Sequence, residues 1–237
     1  MGYLLLEGGA EFGGRMAEPD RLAIARAGGP DAALRLIPAA AAPDRNAVRA
    51  GRNGERWFRG LGARNVAVVP LVDAASADDP TIVSELSRAR LIYLLGGFTH
   101  YLGQTLAGGA AAQALRAAHA AGAVIAGSSA GAMVLCEHYY DPAGDAVHAG
   151  LGFVPGACVL PHHDTFGHKW AARLLERLPG VLLIGLDEQT GVLDDGTGRA
   201  WQVLGRGAAT LYWGGLVTRY AAGEGFERPG SSAPLQT

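Results

Sequence analysis

The chain is poor in the residues that would commit it to a special environment. Its 237 residues include two cysteines, Cys136 and Cys158. A chain of that size with so little thiol is no disulfide scaffold, so one disulfide at most could form, and reduced thiols in a cytoplasmic setting are expected. Lys and Arg number 20 against 22 Asp and Glu, which leaves no basic stripe for nucleic acid and no polybasic cluster for an anionic membrane. Long apolar runs are missing too. The alanine-rich stretch 107–123 is interrupted by glycine and polar residues, and the first apolar run meets Glu7 without a basic lead-in, unlike a signal peptide or an anchor. There is no internal repeat, and the glycine-rich stretch 8–14 lacks the dinucleotide spacing G-x-G-x-x-G. These absences leave a small molecule, peptide or amide as the expected partner.

Apolar residues are abundant by contrast, at 49%, with 36 glycines, the balance of a compact globule with many tight turns. Short apolar runs at 3–6, 34–37, 66–69, 91–95, 124–126, 158–160 and 181–184 each have strand length. Between them, 19–27, 46–61, 81–89, 104–121 and 168–178 carry helical spacing. This alternation predicts an α/β fold: a mainly parallel sheet with helices on both faces, in one domain over 1–228. From Gly191 onward the segments 192–196, 200–204 and 208–213 alternate with glycine turns and predict an antiparallel meander at one edge. Residues 229–237 read as a flexible tail. Trp201, Tyr212 and Trp213 are candidates for a homodimer surface, although aromatics in such strands also build cores.

In an open parallel sheet, chemistry gathers where strands end. One strand end, Gly127-Ser128-Ser129-Ala130-Gly131, matches the nucleophile elbow G-x-S-x-G. Small residues let strand and helix pass closely while Ser129 projects, and the amide of Ala130, opening the next helix, faces a developing oxyanion. The pattern is short, and a helix-capping serine fits it as well. Gly96-Gly97 closes another strand, so Gly97 is a second oxyanion candidate, with Phe98, Thr99 and His100 beside it as substrate contacts. A serine needs a base, and Pro161-His162-His163-Asp164 ends a third strand. Only one of two adjacent histidines can enter the site; His162 is preferred and His163 is the alternate. Their divergence, with no further ligand at familiar spacing, argues against a metal. Asp187 and Glu188 end a fourth strand, and either could orient the base.

Together these residues resemble the cyanophycinase and peptidase E group of serine peptidases, whose fold is related to class I glutamine amidotransferase domains. Glu7-Gly8-Gly9-Ala10-Glu11, Ala27-Gly28-Gly29, Gly96-Gly97-Phe98-Thr99, Gly127–Ala132, Gly150-Leu151-Gly152-Phe153, Pro161-His162 and Ile184–Thr190 carry the resemblance in order. It implies Ser129 as nucleophile, His162 as base, Glu188 as orienting acid, Gly97 and Ala130 as oxyanion donors, and no cofactor. The cyanophycinase pattern would shift the base to His163. The chain departs from that pattern where 165–170 holds no arginine series before Arg173, and from aspartyl-specific peptidase E members at Phe98, where asparagine stands. An esterase or amidase on the same site, and a silent binding protein keeping the fold, are the competing readings.

Overall fold

The structure is a computed structural model that describes residues 1–229; most of the expected tail, 230–237, lies outside the described residues. Strands β1 (Tyr3–Glu7), β2 (Leu34–Ile37), β3 (Val66–Val68), β4 (Leu91–Leu94) and β5 (Val124–Ser128) form a parallel block in the order β1-β5-β4-β2-β3. Their apolar runs are continuous because both faces are covered. Alternate residues of one strand serve different cores. Leu5, Leu36 and Tyr93 pack with Ala23 and Ile24 of helix α1 (Ala17–Arg26) and Phe58 of α2 (Ala47–Gly60). Leu4, Leu6, Ile92 and Leu94 pack on the opposite side. There they meet helices α4 (Pro80–Ser87), α5 (Thr99–Leu106), α6 (Ala110–Ala120) and α7 (Ala130–Leu135), after the single turn α3 (Ala74–Ala77).

The helix expected over 104–121 is two helices. Gly108 sits at φ +70° between α5 and α6, a conformation glycine adopts without a Cβ penalty, and the chain breaks there.

A larger correction concerns the sheets. After the hairpin β6 (His138–Asp141) and β7 (Ala146–Ala149), strands β8 (Ala157–Pro161) and β9 (Leu182–Leu186) pair parallel with each other, but in a separate four-stranded sheet of order β13-β12-β9-β8. Helix α8 (Ala171–Arg177) connects them. The expected single meander is therefore divided. Strands β10 (Thr190–Asp194), β11 (Ala200–Gly205) and β14 (Gly225–Glu227) extend the large sheet from β1 by successive antiparallel pairings, while β12 (Ala208–Trp213) and β13 (Leu216–Ala221) extend the small one. The chain crosses from one sheet to the other at residues 187–189, where Gln189 turns at φ +54°. Trp201 is buried and donates its indole N–H to the Gly198 carbonyl at 3.2 Å, and Tyr212 and Trp213 pack against the core. Trp201 is therefore a core residue, whereas Tyr212 and Trp213 are half-buried. No helix among the described residues is long and apolar enough to cross a membrane.

Candidate active site

The large sheet supplies the serine. Between β5 and α7, Ser129 sits at φ 50°, ψ −111°, a sparsely populated conformation for a residue with a Cβ. Close packing holds it there. A Cβ on Gly127 would lie 2.5 Å from the Gly131 carbonyl carbon, and one on Gly131 2.2 Å from the Leu94 oxygen. The Ser129 N–H donates to the Glu7 carbonyl at 2.9 Å, hanging the turn from the end of β1. Ala130 is the first residue of α7, so its amide has no intrahelical acceptor.

The small sheet supplies the imidazole. His162 follows β8 at φ +124°, and its Nε2 lies 2.7 Å from Ser129 Oγ. Its Nδ1 lies 3.0 Å from Glu188 Oε1. The ring is held on two sides: Phe166 stacks on it at 4.9 Å and 20°, and a Cβ on Gly9 would come 2.2 Å from its Cε1. Glu188 is fixed in turn by its own backbone, whose N–H donates to Asp164 Oδ1 at 2.9 Å. Such a chain lets a hydroxyl pass its proton to an imidazole whose other nitrogen is held by a carboxylate.

The alternates take another place. His163 points to the opposite face, with Nε2 2.7 Å from the Tyr212 hydroxyl, its ring against Gly185 and Nδ1 3.7 Å from Asp187 Oδ1. Asp187 Oδ2 accepts from the Ala208 amide at 3.0 Å and from Arg219 at 2.9 Å. Burial pushes the Asp187 carboxyl up, but the His163 ring, the Ala208 amide and Arg219 outweigh burial and hold it below the usual carboxylate range. This pair fastens β8, β9, β12 and β13 together and does not meet Ser129.

Gly97 follows β4 at φ +141°, where a Cβ would meet the Ala40 oxygen at 2.3 Å. The preceding Gly96 lies between Ser129 and Glu11: its amide donates to Glu11 Oε1 at 3.2 Å, and a Cβ there would be 3.3 Å from Ser129 Cβ. A cleft of about 300 Å³ opens beside them, lined by Glu11, Phe12, Arg49, Asn53, Gly97 and Phe98. Phe98 is exposed at its rim. Thr99 corrects the expectation of a substrate contact: it is buried, with its hydroxyl on Met133 Sδ at 3.6 Å. His100 also turns away, onto Tyr139 and His148.

Gly9, Phe166 and Asp164 escaped the sequence reading as supports of the imidazole and the carboxylate. Gly9 carried a signal, since it follows a strand end as Gly96 does. A further group lies under the site. Glu7 is completely buried, receives the Tyr93 hydroxyl's hydrogen bond and faces buried Asp20, which also accepts from Trp57 Nε1 at 2.7 Å. Burial raises both carboxyls, Glu7 well above its ordinary value and Asp20 to about 7.

A model of peptidase family S51 matches residues 4–199. The chain is 30% identical over 223 residues to the cyanophycinases of Synechococcus elongatus and Thermosynechococcus vestitus, covering 89% of this chain and 67% of each relative. It superposes on the crystal structure of a peptidase from an acI-B1 Actinobacterium with a TM-score of 0.85 at 30% identity, covering 96% of this chain and 97% of that one. A family match over most of the chain, with relatives and a superposable structure that agree with it, makes the chain a serine-type peptidase of family S51.

Proposed function

We propose that the chain hydrolyses a peptide, isopeptide or related amide bond through an acyl-enzyme on Ser129. The observation that carries this reading is the continuous relay of 2.7 Å and 3.0 Å from Ser129 through His162 to Glu188. Ser129 Oγ attacks the carbonyl carbon as His162 Nε2 takes its proton, and Glu188 holds Nδ1–H and stabilises the imidazolium. The amides of Gly97 and Ala130 receive the oxyanion. His162 returns the proton to the leaving amine, and water, deprotonated by the same imidazole, releases the acyl group. No cofactor enters this sequence. The cleft at Glu11 and Phe98 receives the substrate beside the scissile bond; its lining of Glu11, Arg49 and Asn53 beside Phe12 and Phe98 suits a short peptide or amide.

Labelling with a fluorophosphonate probe, read by intact mass, tests the nucleophile without a chosen substrate. Wild-type protein is expected to gain one adduct and Ser129→Ala none. A folded wild type that stays unlabelled would overturn the reading in favour of a silent binding protein. With an activated serine in hand, a panel of peptides, isopeptides and esters separates a peptidase from an esterase on the same site.

A further inference from the structure

Helix α5 starts directly after the Gly97-Phe98 turn, and on its first turn His100 leaves the cleft to meet the β6–β7 hairpin. There it joins Asp141, the last residue of β6, and His148 of β7. One ligand atom from each of the three half-buried side chains falls within 4.8 Å of the other two. We propose that His100, Asp141 and His148 bind a divalent transition-metal ion of the zinc class.

Three features of the cluster support a cation. The two imidazoles stack at 4.1 Å and 28°, an arrangement that two protonated rings would resist by like-charge repulsion and that a shared metal ion, coordinated by neutral rings, removes. His100 Nδ1 is paired with the Tyr139 hydroxyl at 3.1 Å, which leaves Nε2 to coordinate and reproduces the outer hydrogen bond that fixes the tautomer of metal-bound histidines. Asp141 is oriented in advance, because its two oxygens accept from the Ala143 and Gly144 amides at 3.1 Å each and each retains a lone pair. Tyr139 lies directly across from His148 in the hairpin register, so the outer partner and a ligand are placed by the same strand pair.

Two nitrogens and one carboxylate oxygen suit Zn²⁺, Co²⁺ or Ni²⁺ better than the oxygen-seeking Mg²⁺ or Ca²⁺. Three protein ligands leave a fourth position for water. Metal–ligand bonds of about 2.1 Å require donors roughly 3.4 Å apart in a tetrahedron, so on binding the side chains close inward and the imidazoles turn out of their stack until both lone pairs converge on the ion. The thiols are no rivals, since Cys136 and Cys158 are buried. A bound ion would brace the first turn of α5, and with it the Gly97 loop, against the hairpin.

The test uses the full chain stripped of metal and titrated with Co²⁺ and then Zn²⁺, followed by the visible d–d bands and by calorimetry. Wild type is expected to take up one equivalent of Co²⁺ that Zn²⁺ displaces. His148→Phe, which keeps the ring stack and deletes a donor, should lose affinity by more than the roughly 10–100-fold expected when Tyr139→Phe removes the outer partner. His168→Ala, outside the cluster, should bind as wild type does. Absence of stoichiometric uptake by wild type, or unchanged affinity in His148→Phe, would overturn the proposal. Should the variants misfold, imidazole resonances of the unmutated chain decide: Zn²⁺ must shift those of His100 and His148, and shifts confined to other histidines refute the site.

Discussion

At the scale of single residues, the imidazole's position is set by what Gly9 lacks. A methyl group there would collide with His162 Cε1 at φ +120°, so Gly9→Ala must both strain its backbone, at about 1–3 kcal/mol, and push the ring away from Ser129. Steady-state kinetics well below the melting temperature should show kcat lowered by about 10²-fold or more with an unchanged circular dichroism spectrum. Glu188→Gln leaves the shape but removes the charge that holds Nδ1–H; because this carboxylate is half-exposed, kcat should fall by roughly 10²-fold, less than the about 10⁴-fold of a buried triad acid, with a smaller change in KM. Retained kcat in Gly9→Ala would show that Gly9 does not set the ring's position, and retained kcat in Glu188→Gln would remove Glu188 from the relay. At this scale the residues alone favoured His162 over His163 and left Asp187 and Glu188 open, and the choice of Glu188 came from the family resemblance. His162 and His163 leave one strand in opposite directions, as do Asp187 and Glu188, and the seam between two sheets selects which of each pair faces Ser129; no local pattern encodes that seam.

At the scale of elements, Glu7 and Asp20 link β1 to α1, while Trp57 and Tyr93 bring α2 and β4 to the same pair. Each carboxyl keeps one buried oxygen without a partner, so the pair is comfortable only when a proton lies between them. The folded chain keeps the Asp20 proton up to about pH 7, whereas the unfolded chain releases it near pH 4. Its contribution to stability is therefore whole below about pH 4 and fades as the pH rises to about 7. Asp194, pushed up by burial to about 6, acts with the same sign. The melting temperature should fall as the pH rises from about 4 to about 7, and Asp20→Asn, which can still accept from Trp57 and donates to Glu7, should flatten that fall. An identical pH slope in wild type and variant would remove Asp20 from the account. Legibility at this scale was uneven. Buried parallel strands announce themselves as apolar runs, so β1 to β5 were readable, but hydropathy carries no pairing partner, and β8 and β9 looked like further strands of the same sheet. Glu7, read as the charge that ends an apolar run, proved fully buried for want of any local sign of Asp20 and Tyr93.

For the whole molecule, the two sheets share a core that reaches from α7 to β8, and Cys136 and Cys158 report on it. Both thiols are buried, and burial raises them, Cys136 well above its ordinary value and Cys158 to about 12. They should resist thiol reagents in the native state and become modified only as fast as the chain unfolds globally; rapid labelling of folded protein would reveal a separate opening between the sheets. The division of labour between the sheets was not readable from the sequence, because it depends on a crossing of three residues. It also has a consequence for the order in which a ribosome releases the chain. Ser129 emerges 33 residues before His162, and His162 another 26 before Glu188, while Leu4 waits for Asp194, 190 residues downstream, to accept its amide. From Ser129 to Glu188 the nascent chain thus carries its hydroxyl without both partners, and the three groups can meet only once both sheets have formed.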